Sequence, residues 1–318
     1  MEVSDLCKLR RVGNTGMVTP LLVPSFSSTA FPNASDVRAA MNVVKPHLRV
    51  SYLISAFDIH RGLVDKEVAM SDLVFVDSGN YEKTVLDGQG CTVEWTRKMH
   101  KDALNSMVPM SQVAVVNFDE AGTISDQIES ARSFFDAYPR YASDFLCKPM
   151  KGSPYIDVEE VGKYVNQIEK FDVLGVTEKE LGASVLERCK NVARLRSLLN
   201  SSGCEIPIHL FGCFEPSTAA LMCSCGADIF DGLTWTRFAV KNDSLVYTGS
   251  VPFMDGTWSK SEVAIRVDAA SRHLSRMTDL MLGLRSFARN HDYGQLGLQE
   301  ASAELVKAIT TQVAEEVR

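Results

Sequence analysis

The chain has 318 residues, 45% of them hydrophobic and 23% charged, enough to bury one large core or two modest ones. A formal net charge of −7 argues against a strongly basic nucleic-acid binder, although local basic patches on an acidic body remain compatible with it. No apolar run approaches the roughly 20 residues of a membrane helix, and the start MEVSDLCKLRRVG carries acids and no apolar signal core, so a cytoplasmic protein without a membrane partner is expected.

In chain order the strand candidates are PLLVP (20–24), YLISAF (52–57), LVFVD (73–77), VAVVNFD (113–119), DFLCKP (144–149), FDVLGV (171–176), IPIHLFG (206–212) and ADIFDG (227–232). Most are continuous apolar runs, as expected of parallel strands covered on both faces. Helical segments lie between them. DVEEVGKYVNQIEK spaces Val158, Val161, Val165 and Ile168 near a 3.6-residue period, with Asp157 and Glu160 as an N-cap pair. ASVLERCKNVARLRSLLN reads as a second helix, and in EPSTAALMCSCGA Pro216 marks a helix start and Gly226 its stop.

Eight strands alternating with helices predict an α/β fold, a (β/α)₈ TIM barrel spanning residues 1–240. A doubly wound sheet is the alternative, weakened because no glycine-rich dinucleotide fingerprint follows an early strand. Residues 240–262 read as irregular or hairpin structure. A later helix carries Leu274, Met277, Met281 and Leu284 at heptad-like spacing. Residues 241–318 are therefore expected to pack on the barrel as part of the same domain, a helical C-terminal extension.

The eight cysteines lack framework spacing and read as buried, reduced thiols. Cys223 and Cys225 sit two apart on a helix, so they do not share a face. No metal site and no cofactor are expected.

In a TIM barrel, residues at the C-terminal strand ends face the active site. Asp77 ends the third strand, Asp119 and Glu120 the fourth, and Asp231 the eighth. Glu178 follows the sixth strand, and Lys151 and Gly152 follow the fifth. Any one of these acids serves equally well as an N-cap for the next helix. Asp77 and Asp231 are harder to read that way, since Ser-Gly-Asn follows the first and Gly232 the second. Carboxylates converging on one mouth repel each other, a cost more typical of catalysis than of structure. Two of them suit chemistry at an anomeric carbon, one as nucleophile and one as general acid and base. A third carboxylate beside an aromatic face suits a purine-like base.

These residues carry a family resemblance. TPLLVP (19–24), VDSGNYE (76–82), NFDE (117–120), HLFGCFEP (209–216) and GADIFDGLTWTR (226–237) are similar in type and order to motifs of the tRNA-guanine transglycosylases. That family exchanges guanine for a 7-deazaguanine by breaking and remaking an N-glycosidic bond. The resemblance implies that Asp231 is the nucleophile, forming a covalent glycosyl ester, and that Asp77 is the general acid and base. It implies a base-binding set of Asp119, Tyr81, Ser78, Lys151, Gly152, Gly175 and Glu178, with Asp119 on the Watson–Crick edge and Tyr81 stacked on the ring. Arg237 is implied as a phosphate contact.

The departures concern the substrate. The family's Cys-x-Cys-x-x-Cys…His zinc site has no counterpart, as residues 238–290 contain no cysteine. The family's second glycine is Asn80 here, its glutamine after the aromatic is Glu82, and its Val-Gln-Gly-Gly is Met150-Lys151-Gly152-Ser153. With LGVTEKELG (174–182), these changes resemble the branch that inserts 7-deazaguanines such as 7-cyano-7-deazaguanine into DNA. DNA is thus the expected partner and tRNA the alternative, with a flipped target base and room for a partner protein that opens the duplex. A non-catalytic subunit that keeps the barrel is a further alternative. Basic patches to contact nucleic acid are sought at Lys8, Arg10 and Arg11 and at Arg272, Arg276, Arg285 and Arg289, which read equally as solubilising helix charges. His209 is expected to be a satisfied core residue and His273 a surface one.

Overall fold

The computed structural model describes residues 3–317. Eight parallel strands close a barrel in sequence order: β1 Leu21–Phe26, β2 Ser51–Ser55, β3 Leu73–Asp77, β4 Gln112–Val116, β5 Ala142–Leu146, β6 Val173–Thr177, β7 Ile208–Phe211 and β8 Ile229–Gly232. The seam pairs Leu21 with Ile229 and Val23 with Asp231. The main helices are α1 Asp36–Val44, α2 Asn80–Gly88, α3 Arg97–Ser106, α4 Ile124–Phe135, α5 Val185–Ser201, α6 Pro216–Ser224, α7 Glu262–Asn290 and α8 Glu300–Glu316. The apolar runs become strands buried on both faces, which is why their sequences do not alternate.

Caps set several helix starts. Thr123 accepts from the Asp126 amide while Asp126 reaches back, and Ser184 and Glu187 do the same for α5. Glu215 accepts from the amides of Ser217 and Thr218 ahead of α6, whose first residue is Pro216.

Several expectations about elements are corrected, among them β5, expected over 144–149 and running Ala142–Leu146. β4 ends at Val116 rather than running to residue 119, because the Asn117 side chain takes over the ladder: its Oδ1 accepts from the Leu146 amide at 2.6 Å. The single helix expected over 157–170 is two short turns, Val158–Gly162 and Val165–Ile168. Gly162 explains the break, since it has low helix propensity and is pressed so close to α5 that a Cβ there would lie 2.8 Å from Leu198.

After β8 an antiparallel hairpin pairs Phe238–Lys241 with Ser244–Tyr247. Its turn residues Asn242 and Asp243 have φ of 49° and 61°, the double positive φ of a tight hairpin turn. α7 then packs along β1 and α1 with Leu274, Met277, Met281 and Leu284 all buried, and α8 packs on α5 and α6. His273 is fully buried, not on the surface, because its Nδ1–H donates to the Phe238 carbonyl at 2.8 Å.

At the N-terminal end of the barrel, Asp228 accepts from Arg10 at 2.9 Å, from Arg196 at 2.5 Å and from the Ile208 amide at 2.8 Å. This network buries Arg10 and removes it from any nucleic-acid patch. Arg285 likewise donates to the carbonyls of Val18 at 2.8 Å and Pro20 at 3.1 Å, ahead of β1. It is an N-terminal-end tie, far from the strand ends that carry Asp77 and Asp231. No described helix is long and apolar enough to cross a membrane.

Candidate active site

β3 delivers Asp77 to its C-terminal end, and the chain turns at once through Ser78 and Gly79 into α2. Gly79 has φ of 86°, and a Cβ there would lie 2.9 Å from the Phe57 amide nitrogen and 3.0 Å from the Trp95 ring. Only glycine fits, so the turn direction is set. Trp95 Nε1 fixes the Ser78 carbonyl at 2.9 Å, and Ser78 Oγ donates to Asp119 Oδ1 at 2.6 Å. Asp119 is thereby held beside Asp77 by the turn that Asp77 begins.

Asp231, at the end of β8, is buried and accepts two short hydrogen bonds. Ser25 Oγ donates to its Oδ2 at 2.6 Å and the Gly212 amide to its Oδ1 at 2.8 Å. Among the described residues Asp77 has only the Gly79 amide, at 3.4 Å. The two acids therefore differ. Burial drives the Asp77 carboxyl well above the ordinary range, and the charges of Asp119, Glu82 and Asp231 drive it further. Burial also raises Asp231, but His209, Ser25 and Gly212 oppose the rise. Asp77 is the better proton carrier and Asp231 the better-supported carboxylate.

Asp119 is raised by burial against the opposing effects of Ser78 and Lys148. Lys148 Nζ sits 2.5 Å from Glu180 and 3.4 Å from the Thr177 hydroxyl. Behind the site are two further buried carboxyls. Asp58 takes the Ser28 amide at 2.8 Å and hydroxyl at 2.5 Å, and Glu82 takes the Ser55 hydroxyl at 2.7 Å. Tyr81, half exposed on the first turn of α2, feels the charge of Arg237, which is exposed and makes no ion pair among the described residues.

Of the residues singled out in the sequence, Asp77, Ser78, Asp119 and Asp231 converge, with Tyr81 and Arg237 on the rim. Others are elsewhere. Lys151 and Gly152 are exposed in the turn after β5, and Lys148 is the lysine that reaches the acids. Glu178 is buried and paired with Arg188 at 2.6 Å, and Glu120 with Arg97 at 2.7 Å. Arg272 bridges Asp255, at 2.8 Å, and Asp268 on the outer face, its charge already matched. Gly175 lies within β6, where a Cβ would meet Asp144 Oδ1 at 2.8 Å and Phe211 at 2.7 Å.

Sequence reasoning missed three residues. Lys148 was passed over for its neighbour Lys151. Asp144 reads as the first residue of an apolar strand. His209 is a core residue as expected, but not a satisfied one: its Nε2 has no hydrogen-bond partner among the described residues. Among the described residues no group of three or more His, Cys, Asp or Glu is placed to hold a metal ion. No family model and no curated protein matches the chain.

Proposed function

We propose that the chain is a guanine transglycosylase that exchanges guanine in DNA for a 7-deazaguanine through a covalent aspartyl-glycosyl intermediate. The observation that carries this reading is the contrast between Asp77 and Asp231 at one barrel mouth: burial and like charges raise the first with one long hydrogen bond to oppose them, and the second accepts two short hydrogen bonds from Ser25 and Gly212. That division of labour is what retaining glycosyl transfer needs. The resemblance of VDSGNYE, NFDE and GADIFDGLTWTR to transglycosylase motifs supplies the substrate class.

In the first half-reaction an Asp231 oxygen attacks C1′ of the target nucleotide. The C1′–N9 bond breaks with its electron pair going to the base, and Asp77 gives that base its proton. In the second, N9 of the incoming deazaguanine attacks C1′, Asp77 takes the N9 proton, and the Asp231 carboxylate departs. Asp119, held by Ser78, accepts from the base N–H groups, Tyr81 stacks on the ring, and Arg237 meets a phosphate. Because the chain's net charge is −7, nucleic-acid binding rests on local cations such as Arg237 and weakens with salt.

The test is incorporation of labelled guanine and of 7-cyano-7-deazaguanine into DNA and tRNA in parallel, with wild type, Asp231→Ala and Asp77→Asn. Incorporation into DNA, lost in both variants, is the expected result. Incorporation into tRNA alone changes the substrate but keeps the chemistry. No incorporation into either, by folded protein, overturns the reading.

A further inference from the structure

We propose that His209, backed by Asp144, is a positioning residue for Asp231, its Nε2–H directed at Asp231 Oδ1 so that the carboxylate stays ionised and aligned. This rests on the reading of Asp231 as the nucleophile. Asp144 in β5 and His209 in β7 are both fully buried, and His209 Nδ1 lies 2.6 Å from Asp144 Oδ2. They belong to strands separated by β6, and the gap is bridged because the residue between them is Gly175, the register partner of His209. Any side chain at Gly175 would strike Asp144.

The imidazole is clamped. It stacks on Phe211 with centroids 3.9 Å apart and meets Phe75 edge-on at 5.2 Å. Held so, its Nε2 lies 3.8 Å from Asp231 Oδ1 and has no hydrogen-bond partner among the described residues. A buried ring nitrogen without a partner forfeits the hydrogen bond it would make to water, so its place beside a reacting group requires an explanation.

Proton placement supplies it. The short Asp144 contact holds one proton between Nδ1 and Oδ2. Were the ring neutral with that proton on Nδ1, the Nε2 lone pair would oppose the Asp231 carboxylate in a desolvated site. A proton on Nε2 converts this repulsion into attraction. The charge on Asp231 vanishes when the glycosyl ester forms and returns when the ester is displaced. A donor fixed beside it assists that second departure without touching the nucleic acid, and the rigid ring sets the carboxylate plane for the first attack.

The test uses His209→Gln, which keeps an N–H where Nε2 stood, and His209→Asn, which keeps one only near Nδ1. With wild type and Asp231→Ala establishing exchange in the same assay, His209→Asn is expected to lower kcat by about 10²-fold with KM for the base within about twofold, and His209→Gln to recover most of the loss. Thermal unfolding of both variants checks the fold. Equal loss in the two variants, or loss tracking unfolding, overturns the proposal. A second readout needs no substrate: the ¹⁵N imidazole resonances of His209, assigned by their disappearance in His209→Gln. Nε2 is expected to carry a proton and its resonance to move in Asp231→Asn. An unprotonated Nε2, or one indifferent to Asp231, overturns the proposal even where the wild type exchanges no base, an outcome that would by itself sink only the transglycosylase reading.

Discussion

Ser25 donates its hydroxyl to Asp231 Oδ2 at 2.6 Å across the seam where β1 meets β8. The donor stabilises the ionised carboxylate, so removing it raises the Asp231 pKa. In Ser25→Ala the acidic limb of the exchange rate against pH is therefore expected to move to higher pH, with the plateau lower by about 10²-fold. An unmoved limb would mean that Asp231 is not the group whose ionisation sets it.

The Ser78–Asp119 bond at 2.6 Å makes a different prediction. Ser78→Ala removes the hydroxyl that fixes the Asp119 carboxylate and leaves the Ser25 and Gly212 contacts of Asp231 in place. The KM for the incoming base should rise about tenfold, the worth of roughly one hydrogen bond to a charged group, while kcat changes little. A drop in kcat at constant KM would place Asp119 in the proton path instead of in base recognition.

Asp58 and Glu82 link the site to stability. Burial pushes Asp58 up to about 6 and Glu82 up to about 7, from ordinary values of 3.8 and 4.5. Both bind protons more tightly in the folded chain, so their contribution is fully present below the ordinary values and is lost as pH rises through about 6 to 7. Glu82→Gln has no charge to bury. Its Tm relative to wild type should become steadily more favourable from about pH 4.5 to about pH 7.5. A difference independent of pH would show that Glu82 ionises in the fold as easily as in the unfolded chain.

Much of this was legible because it is local. LVFVD became β3 with its bounds unchanged, since an apolar run broken by Ser-Gly-Asn has no other way to end. Asp77 and Asp231 stand out in the sequence because each comes at the end of such a run. What escaped depends on side chains meeting across the barrel. Nothing near His209 in the sequence announces Asp144, which is separated from it by 65 positions, and the glycine that lets them meet belongs to a third strand. Arg10 and Arg285 looked like surface charge because a cation in a sequence carries no mark of burial. Asp228 lies 218 positions from Arg10 and the Pro20 carbonyl 265 from Arg285, farther still along the chain.

Gly79 offers the sharpest test of the turn that carries Asp77, because Gly90 is a built-in control. Their φ values are nearly the same, 86° and 80°, yet a Cβ at Gly79 would meet Phe57 and Trp95, while one at Gly90 meets nothing within 4 Å. Gly90→Ala therefore isolates the cost of left-handed backbone, about 1–2 kcal/mol. Gly79→Ala adds the clash, and relief of that clash must move Phe57, Trp95, which holds the Ser78 carbonyl, or the turn itself. Chemical denaturation should find Gly79→Ala the less stable by a further 1 kcal/mol or more, on the order of an overpacked core site. Base exchange should fall in Gly79→Ala well beyond any loss of folded protein, since the turn orients both Asp77 and Asp119, and should be unchanged in Gly90→Ala. Equal activity in the two variants would mean that the position of Asp77 does not depend on the turn that follows it.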